Sequence, residues 1–247
     1  MDIQNFFEEN QKVAIAFSGG TDSTYLLFEA VDAGCDVHAF FVKSAFNPQW
    51  QQDKAEELAK LFLTNMTIIY ADVLGEEDIV KNKDDRCYHC KKAILSYVKS
   101  AASHAGYDIV IDGTNASDDP DCRPGMKAIE ELGIISPLRL CGITKEEVMR
   151  RSEEFNLPTK DDKSYSCLAT RIPSPTKITY NALEKIEEAE NKMWNMGFKD
   201  YRVRFHGNLA RIEVAKDELP MLLEKSAEVT DALGEYFKYV TLDLKGR

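Results

Sequence analysis

Residues 12–23 read Lys12-Val13-Ala14-Ile15-Ala16-Phe17-Ser18-Gly19-Gly20-Thr21-Asp22-Ser23, an apolar run that breaks into two glycines flanked by hydroxyl residues. A β-rich stretch that ends in such a turn and runs on into a helical pattern, Thr21 to about Ala33, is built to hold phosphate. The glycines let the backbone approach an anion with no side chain in the way. Ser18, Thr21 and Ser23 carry hydroxyl donors, and the free N–H groups at the start of the helix point at the same spot. The G-x-x-x-x-G-K-[ST] pattern of the kinase and GTPase loop is absent. The plainer reading is a glycine turn between any strand and helix of an α/β domain.

Outward from this stretch, the first half of the chain alternates strand and helix patterns. Val13–Phe17, Val37–Val42, Met66–Tyr70 and Ile109–Ile111 are short, apolar and β-rich. Thr21–Ala33, Gln49–Phe62 and Tyr88–Ala105 lie between them; in the second, Ala55, Leu58, Ala59 and Phe62 recur at helical spacing. Such alternation predicts a doubly wound, mostly parallel α/β sheet covered on both faces. Ligands of such sheets sit at the carboxyl ends of the strands, where the Ser18–Ser23 loop and the Asp112-Gly113-Thr114-Asn115 turn both fall. A helix follows over 144–155, and residues 159–179, polar and without period, read as an active loop and linker. Beyond lie a helix over 180–196, strands over 201–205 and 210–214, a helix near 216–228 and a last strand near 236–242. The expected division is 1–172, a nucleotide domain carrying the cysteine site, and 173–247, a small α+β domain for substrate binding or oligomerisation.

With 247 residues, 44% of them apolar and 30% charged, the chain describes a soluble globular protein. No apolar run approaches the roughly 18 residues that cross a bilayer, and the acidic start Met1–Glu9 lacks the basic region of a secretion signal. A cytoplasmic protein is expected, with no membrane partner. The net charge of −11 speaks against broad capture of nucleic acid, though not against a local basic pocket. A homo-oligomer is the expected assembly.

The six cysteines read poorly as disulfides in that compartment. Arg86-Cys87-Tyr88-His89-Cys90-Lys91-Lys92 places two thiols three residues apart on one turn at a helix start, able to share a metal ion or cluster. The helix N-terminus and Arg86, Lys91 and Lys92 would lower their pKa values. A third ligand must come from elsewhere, and Cys167, in the polar loop, is the best candidate. Three thiolates suit a 4Fe–4S cluster with one open iron. Zinc with His89, a thioredoxin-like redox pair and a chance C-x-x-C are the alternatives. Cys35 and Cys141 read as structural; Cys122 has no assignable role.

Ser18–Ser23 resembles the pyrophosphate-binding SGGxDS loop of the N-type ATP pyrophosphatases, the adenine nucleotide α-hydrolase-like PP-loop fold. Further motifs narrow the resemblance: Arg86-Cys-Tyr-His-Cys-Lys91, Asp112-Gly-Thr-Asn-Ala-Ser-Asp118, Arg123-Pro-Gly125, Ser136-Pro-Leu138, Thr144-Lys145, Cys167-Leu-Ala-Thr-Arg-Ile-Pro173, Arg202-Val-Arg204 and Ala210-Arg-Ile-Glu-Val214. In this order and spacing, from about Val13 to Val214, the chain is similar to the LarE family of ATP-dependent sulfur transferases. Members insert sulfur into pyridinium-3,5-biscarboxylic acid mononucleotide, a precursor of the nickel-pincer cofactor of lactate racemase.

The resemblance implies that Ser18, Gly19, Gly20, Thr21, Asp22 and Ser23 hold ATP, with Gly113 and Thr114 as further contacts. Mg²⁺ would bridge the phosphates, with Asp22 as a ligand directly or through water. Cys167 matches the cysteine whose sulfur is sacrificed in single-cysteine members. Cys87 and Cys90 match the three-cysteine branch, where a 4Fe–4S cluster carries a labile sulfide drawn from a sulfide or other sulfur donor. Arg171, Arg202, Arg204 and Arg211, with Thr170, would bind the substrate's carboxylates and phosphate; arginine's fork suits both. Glu190 matches an acidic catalytic position and Arg171 a catalytic one. Thr170 stands where serine is usual, and Cys122 where tyrosine is expected before Arg123. The bland reading puts Arg202 and Arg204 on a solvated strand face, and Glu190 on a solvated helix face. Competing functions are tRNA thiolation by a related cluster enzyme, an amide ligase of the NAD-synthetase kind, and a non-enzymatic iron–sulfur carrier.

Overall fold

A computed structural model describes residues 2–119 and 124–247, so Cys122 and Arg123 lie outside the described residues. In chain order the elements are α1 (Ile3–Glu9), β1 (Lys12–Ala16), α2 (Thr21–Asp32), β2 (Asp36–Lys43), α3 (Gln49–Leu61), β3 (Asn65–Tyr70), α4 (Glu77–Val80), α5 (Arg86–His104), β4 (Val110–Asp112), α6 (Gly125–Leu132), α7 (Pro137–Leu140), α8 (Lys145–Glu154), α9 (Tyr180–Asn195), β5 (Tyr201–His206), β6 (Leu209–Val214), α10 (Leu219–Glu224), α11 (Ser226–Gly234) and β7 (Tyr239–Leu242). They form two compact units: residues 1–73 with 85–165, and 74–84 with 166–247. No helix among the described residues is long and apolar enough to cross a membrane.

The first unit is the expected parallel α/β sheet, with strand order β3-β2-β1-β4. β1 pairs parallel with β2 on one side and with β4 on the other, Ala16 meeting Phe40 and Asp112. The chain builds outward from β1 to β3, then crosses to the other side of β1. That reversal opens a crevice at the carboxyl ends of β1 and β4, the place where such sheets bind ligands. Val13, Ala14 and Ile15 are fully buried, as a central parallel strand covered on both faces requires. Helix α1 is legible only in hindsight: Ile3, Phe6 and Phe7 repeat at i, i+3 and i+4 and all three are buried.

Beneath this sheet the Glu29 carboxylate is buried in α2, accepting hydrogen bonds from Tyr25 Oη and from Gln4 Nε2 at 2.9 Å, with Arg151 Nη1 3.9 Å away. Burial pushes the Glu29 carboxyl up, against the opposing pull of Tyr25 and Arg151. An acid held above its unfolded value stabilises the fold only below that value, and the contribution is lost as pH rises through the folded value. Glu29→Gln has no proton to lose. Its melting temperature minus the parent's should therefore rise as pH is raised from about 4 to about 7; a difference that falls would mean that the Arg151 pair outweighs desolvation.

The second unit carries a three-stranded sheet, β5-β6-β7, antiparallel then parallel. His206 pairs with Leu209, leaving a two-residue turn whose first member, Gly207, has φ of +68°. Glycine at that position is what a tight hairpin of the right twist demands. Met193, Phe198, Val203, Val214, Leu233 and Phe237 form its core. The early segment 74–84 belongs here because Asn82 Nδ2 donates to the carbonyls of Ile172, Pro173 and Thr176 at 3.1, 3.3 and 3.0 Å. Two details differ from the sequence reading. The helix near 216–228 is broken at Lys225 into α10 and α11. The supposed linker contains a 3₁₀ turn, Leu168–Arg171, in which Leu168, Ala169 and Arg171 are buried, so it is a packed element of the second unit.

Candidate active site

Ser18–Ser23 turns from β1 into α2, with Gly20 as the helix N-cap residue and no side chain capping the first N–H groups. Those donors therefore face the crevice unspent within the helix. The loop is braced from inside. Ser18 Oγ lies 3.0 Å from Ser23 Oγ, Ser23 Oγ donates to the Gly20 carbonyl at 3.1 Å, and Thr21 Oγ1 donates to the Thr159 carbonyl at 3.3 Å. Gly19, at φ of +70°, lies against Ala55 of α3.

The end of β4 presses onto this loop. A Cβ on Gly113 would stand 2.9 Å from Ser23 N and 3.0 Å from Ser23 Cα, closer than real atoms approach, so only glycine fits. On either side of Gly113 stand the buried Asp112 and Thr114. Asp112 accepts from Ser136 Oγ at 2.6 Å and Thr114 Oγ1 at 2.7 Å, and pairs with Lys91 Nζ at 3.2 Å. Asp22 is gripped by Asn115 Nδ2 at 3.1 Å and by Lys145 Nζ at 2.9 Å. Around this core lies a cavity of about 310 Å³, polar at Ser18, Asp22, Ser23, Lys91 and Asp112, and apolar at Phe40, Val42, Ile94 and Val98. Backbone N–H donors and polar side chains beside apolar ones suit a phosphate chain and a purine ring. Lys91, Asp112 and Lys145 were not singled out as site residues by the sequence; the signal available was only their place inside the motifs around Cys90, Gly113 and Thr144.

Cys87 and Cys90 sit in the first two turns of α5, neither in a disulfide, Cys87 exposed and beside the Arg86 guanidinium at 3.4 Å. Cys167, also outside any disulfide, stands in the second unit just before the 3₁₀ turn. Among the described residues no three His, Cys, Asp or Glu side chains are assembled as a metal site, so the pair on α5 is by itself an incomplete ligand set. Its chemistry, reduced thiols beside fixed positive charge at a helix start, fits a thiolate-bound group. Burial pushes the thiols of Cys35 and Cys141 up, consistent with their structural reading.

In the second unit the structure brings Thr170, Arg171, Glu190 and Arg204 together. Arg171, fully buried, donates Nε and Nη2 to the two Glu190 oxygens at 2.8 and 3.1 Å. Arg204 Nη1 donates to the Thr170 carbonyl at 2.8 Å, and its other nitrogens pair with Glu213. Arg211 faces Arg204 across the β5–β6 ladder and pairs with Glu213 and Asp243. Arg202 is buried with Nη1 on its neighbour's carbonyl, Tyr201, at 2.6 Å. Neither Arg202 nor Glu190 lies on a solvated face, which removes the bland reading for both.

A parallel sheet whose first strand ends in this braced glycine–hydroxyl loop, with the β4 glycine pressed against it, defines a PP-loop nucleotide-binding protein of the ATP pyrophosphatase type. A family model described as thiamine biosynthesis protein (ThiI) matches residues 9–194. The chain is 35% identical to the pyridinium-3,5-bisthiocarboxylic acid mononucleotide synthase of Lactiplantibacillus plantarum, over 96% of this chain and 87% of that one. Uncharacterized proteins of Methanocaldococcus jannaschii and Synechocystis are 34% and 32% identical, over 96% and 99% of this chain and 91% and 93% of theirs. The chain belongs to the ThiI family of PP-loop proteins, and within it to the LarE group. It is an enzyme of the ATP-dependent sulfurtransferase class.

Proposed function

We propose that this enzyme adenylates a carboxylate of pyridinium-3,5-biscarboxylic acid mononucleotide and converts it to a thiocarboxylate on the route to a nickel-pincer cofactor. The observation that carries the reading is the braced Ser18–Ser23 loop closed by Gly113, in a chain 35% identical to a bisthiocarboxylate mononucleotide synthase over 96% of its length. A substrate carboxylate oxygen attacks the α phosphorus of ATP and pyrophosphate leaves. Hydrosulfide sulfur then attacks the acyl carbon of the adenylate, AMP leaves with the C–O electron pair, and a proton is released.

The loop N–H groups, braced by the hydroxyls beneath them, hold the departing pyrophosphate, where negative charge accumulates. Lys91, which lines the pocket, and Lys145, paired with Asp22, add positive charge beside the loop. Asp22 would hold Mg²⁺, which would spread the phosphate charge. Arg204 and Arg211, whose side chains stay partly exposed, would exchange their Glu213 and Asp243 pairs for the substrate's phosphate and carboxylates, with Arg202 on the same strand as Arg204. Cys87, Cys90 and Cys167 would hold a 4Fe–4S cluster, which would supply an iron able to carry sulfide. The net charge of −11 disfavours a polyanionic RNA substrate.

The test is anaerobic purification with iron, sulfide and nucleotide analysis. The expected preparation is brown, with about four iron and four sulfide per chain, as one cubane implies. It should release AMP and pyrophosphate when given ATP and the pyridinium mononucleotide. Alanine at Cys87, Cys90 or Cys167 should abolish the cluster, whereas Cys35→Ala should keep it. Asp22→Ala should keep the cluster and lose pyrophosphate release. Stoichiometric zinc without sulfide would sink the cluster; AMP formed only with tRNA would sink the substrate.

A further inference from the structure

The Arg171–Glu190 pair holds more than one piece of the second unit. Arg171 has zero exposure and Glu190 is 5% exposed. The guanidinium spends Nε and Nη2 on the Glu190 carboxylate, 2.8 and 3.1 Å away. Its remaining nitrogen, Nη1, donates to the Ser166 carbonyl and hydroxyl, both at 2.8 Å, to Thr170 Oγ1 at 2.9 Å and to the Cys167 carbonyl at 3.4 Å. Thr170 Oγ1 in turn donates to the Cys167 carbonyl at 2.8 Å and lies 3.0 Å from Ser166 Oγ. On the far side, Glu190 Oε1 accepts from the Val203 amide at 3.0 Å, and the Glu190 carbonyl from Tyr201 Oη at 2.6 Å. One cation thus grips the residues on both sides of Cys167, and its anion is pinned to α9 and β5.

Every nitrogen of this guanidinium already has a partner inside the unit, and no part of the side chain reaches the surface. A group so placed is poorly suited to meet a substrate. We infer that Arg171 and Glu190 are positioning residues: they fix the backbone of Ser166–Arg171 so that the Cys167 sulfur is presented in one orientation, and they do not themselves bind the mononucleotide. A bidentate arginine–carboxylate pair is the stiffest side-chain link available for this, because the fork fixes angle as well as distance. Holding a reacting atom in one place is worth orders of magnitude in rate, and a displacement of about 1 Å forfeits much of it.

The inference rests on Cys167 being the cysteine of the sulfur site, but its first test needs neither cluster nor substrate. The full chain, kept reduced and without added iron, is alkylated with iodoacetamide, and the rate at Cys167 is read by mass spectrometry relative to exposed Cys87 in the same molecule. In Glu190→Gln and Arg171→Lys the relative rate at Cys167 should change about tenfold, the effect of losing a hydrogen bond to a charged group. Ser166→Ala removes the hydroxyl contacts to Arg171 and Thr170, and Thr170→Val those to Arg171, Ser166 and the Cys167 carbonyl; both leave the buried pair in place, so they should fold as the parent and shift the rate in the same direction by less. Where the charge variants fail to fold, these two decide alone. In the active enzyme, kcat for thiocarboxylate formation should fall while KM for the pyridinium substrate stays constant. An unchanged relative alkylation rate in the folded variants, or a raised KM at constant kcat, would overturn the positioning role. Failure of the proposed function leaves the alkylation result intact, so the two can be told apart.

Discussion

Gly113→Ala should lower ATP-dependent pyrophosphate release by about two orders of magnitude while the chain remains folded. The added Cβ would stand 2.9 Å from Ser23 N, and the atom it meets is backbone at the start of α2. Backbone cannot swing aside as a side-chain tip can, so β4 and the loop must part by several tenths of an ångström. The donors facing the phosphates move with it, and catalytic alignment tolerates little: about 1 Å of misplacement costs about a hundredfold. Gly234→Ala is the control, because a Cβ there meets nothing within 4 Å. Equal pyrophosphate release by Gly113→Ala and the parent at saturating ATP would show that the contact between β4 and α2 plays no part in catalysis.

Glu190→Ala should destabilise the second unit by about 3–5 kcal/mol, because it strands the Arg171 guanidinium in a site that water does not reach. Truncating one partner is costly in a way that replacing both is not. The double variant Arg171→Met/Glu190→Leu should recover most of the loss, since it removes both desolvated charges together. Trp194 on α9 reports on this unit in a Trp50→Phe background, as the chain has two tryptophans and the other stands on α3. Urea unfolding followed by Trp194 fluorescence gives both numbers. A Glu190→Ala midpoint equal to the parent's would mean that the pair contributes nothing to the fold.

The phosphate loop was readable because everything it needs lies in consecutive residues: an apolar β run, two glycines, three hydroxyls and a helical period, Lys12 to Asp32. For the same reason the parallel sheet was readable, since β and α patterns alternate at the spacing that crossovers require. The paired thiols on α5 are a local signal too, three residues apart on one turn. Where the reading fell short, the missing information was long-range. Lys91 was only a basic neighbour of Cys90 until the fold set it 3.2 Å from Asp112, 21 residues on. Lys145 was only a residue at a helix start until it met Asp22, 123 residues away.

Residues 159–179 show the same division most sharply. Polar and without period, they carry no local instruction for structure, yet Leu168, Ala169 and Arg171 are buried. Arg171 reads from sequence as a ligand-binding cation because the resemblance places it in the basic set and its fork suits carboxylate and phosphate. Its fate depends on a carboxylate 19 residues away that a different helix delivers. By itself, then, the sequence determined the phosphate loop, the α/β class and the placing of two thiols on one helical turn, because glycine torsions, hydroxyl groups and hydrophobic period act between near neighbours in the chain. The tertiary structure alone decided which charges are paired and buried, why position 113 admits only glycine, and why 74–84 joins the second unit. Those outcomes follow from desolvation and steric exclusion between segments that meet only after the chain has folded.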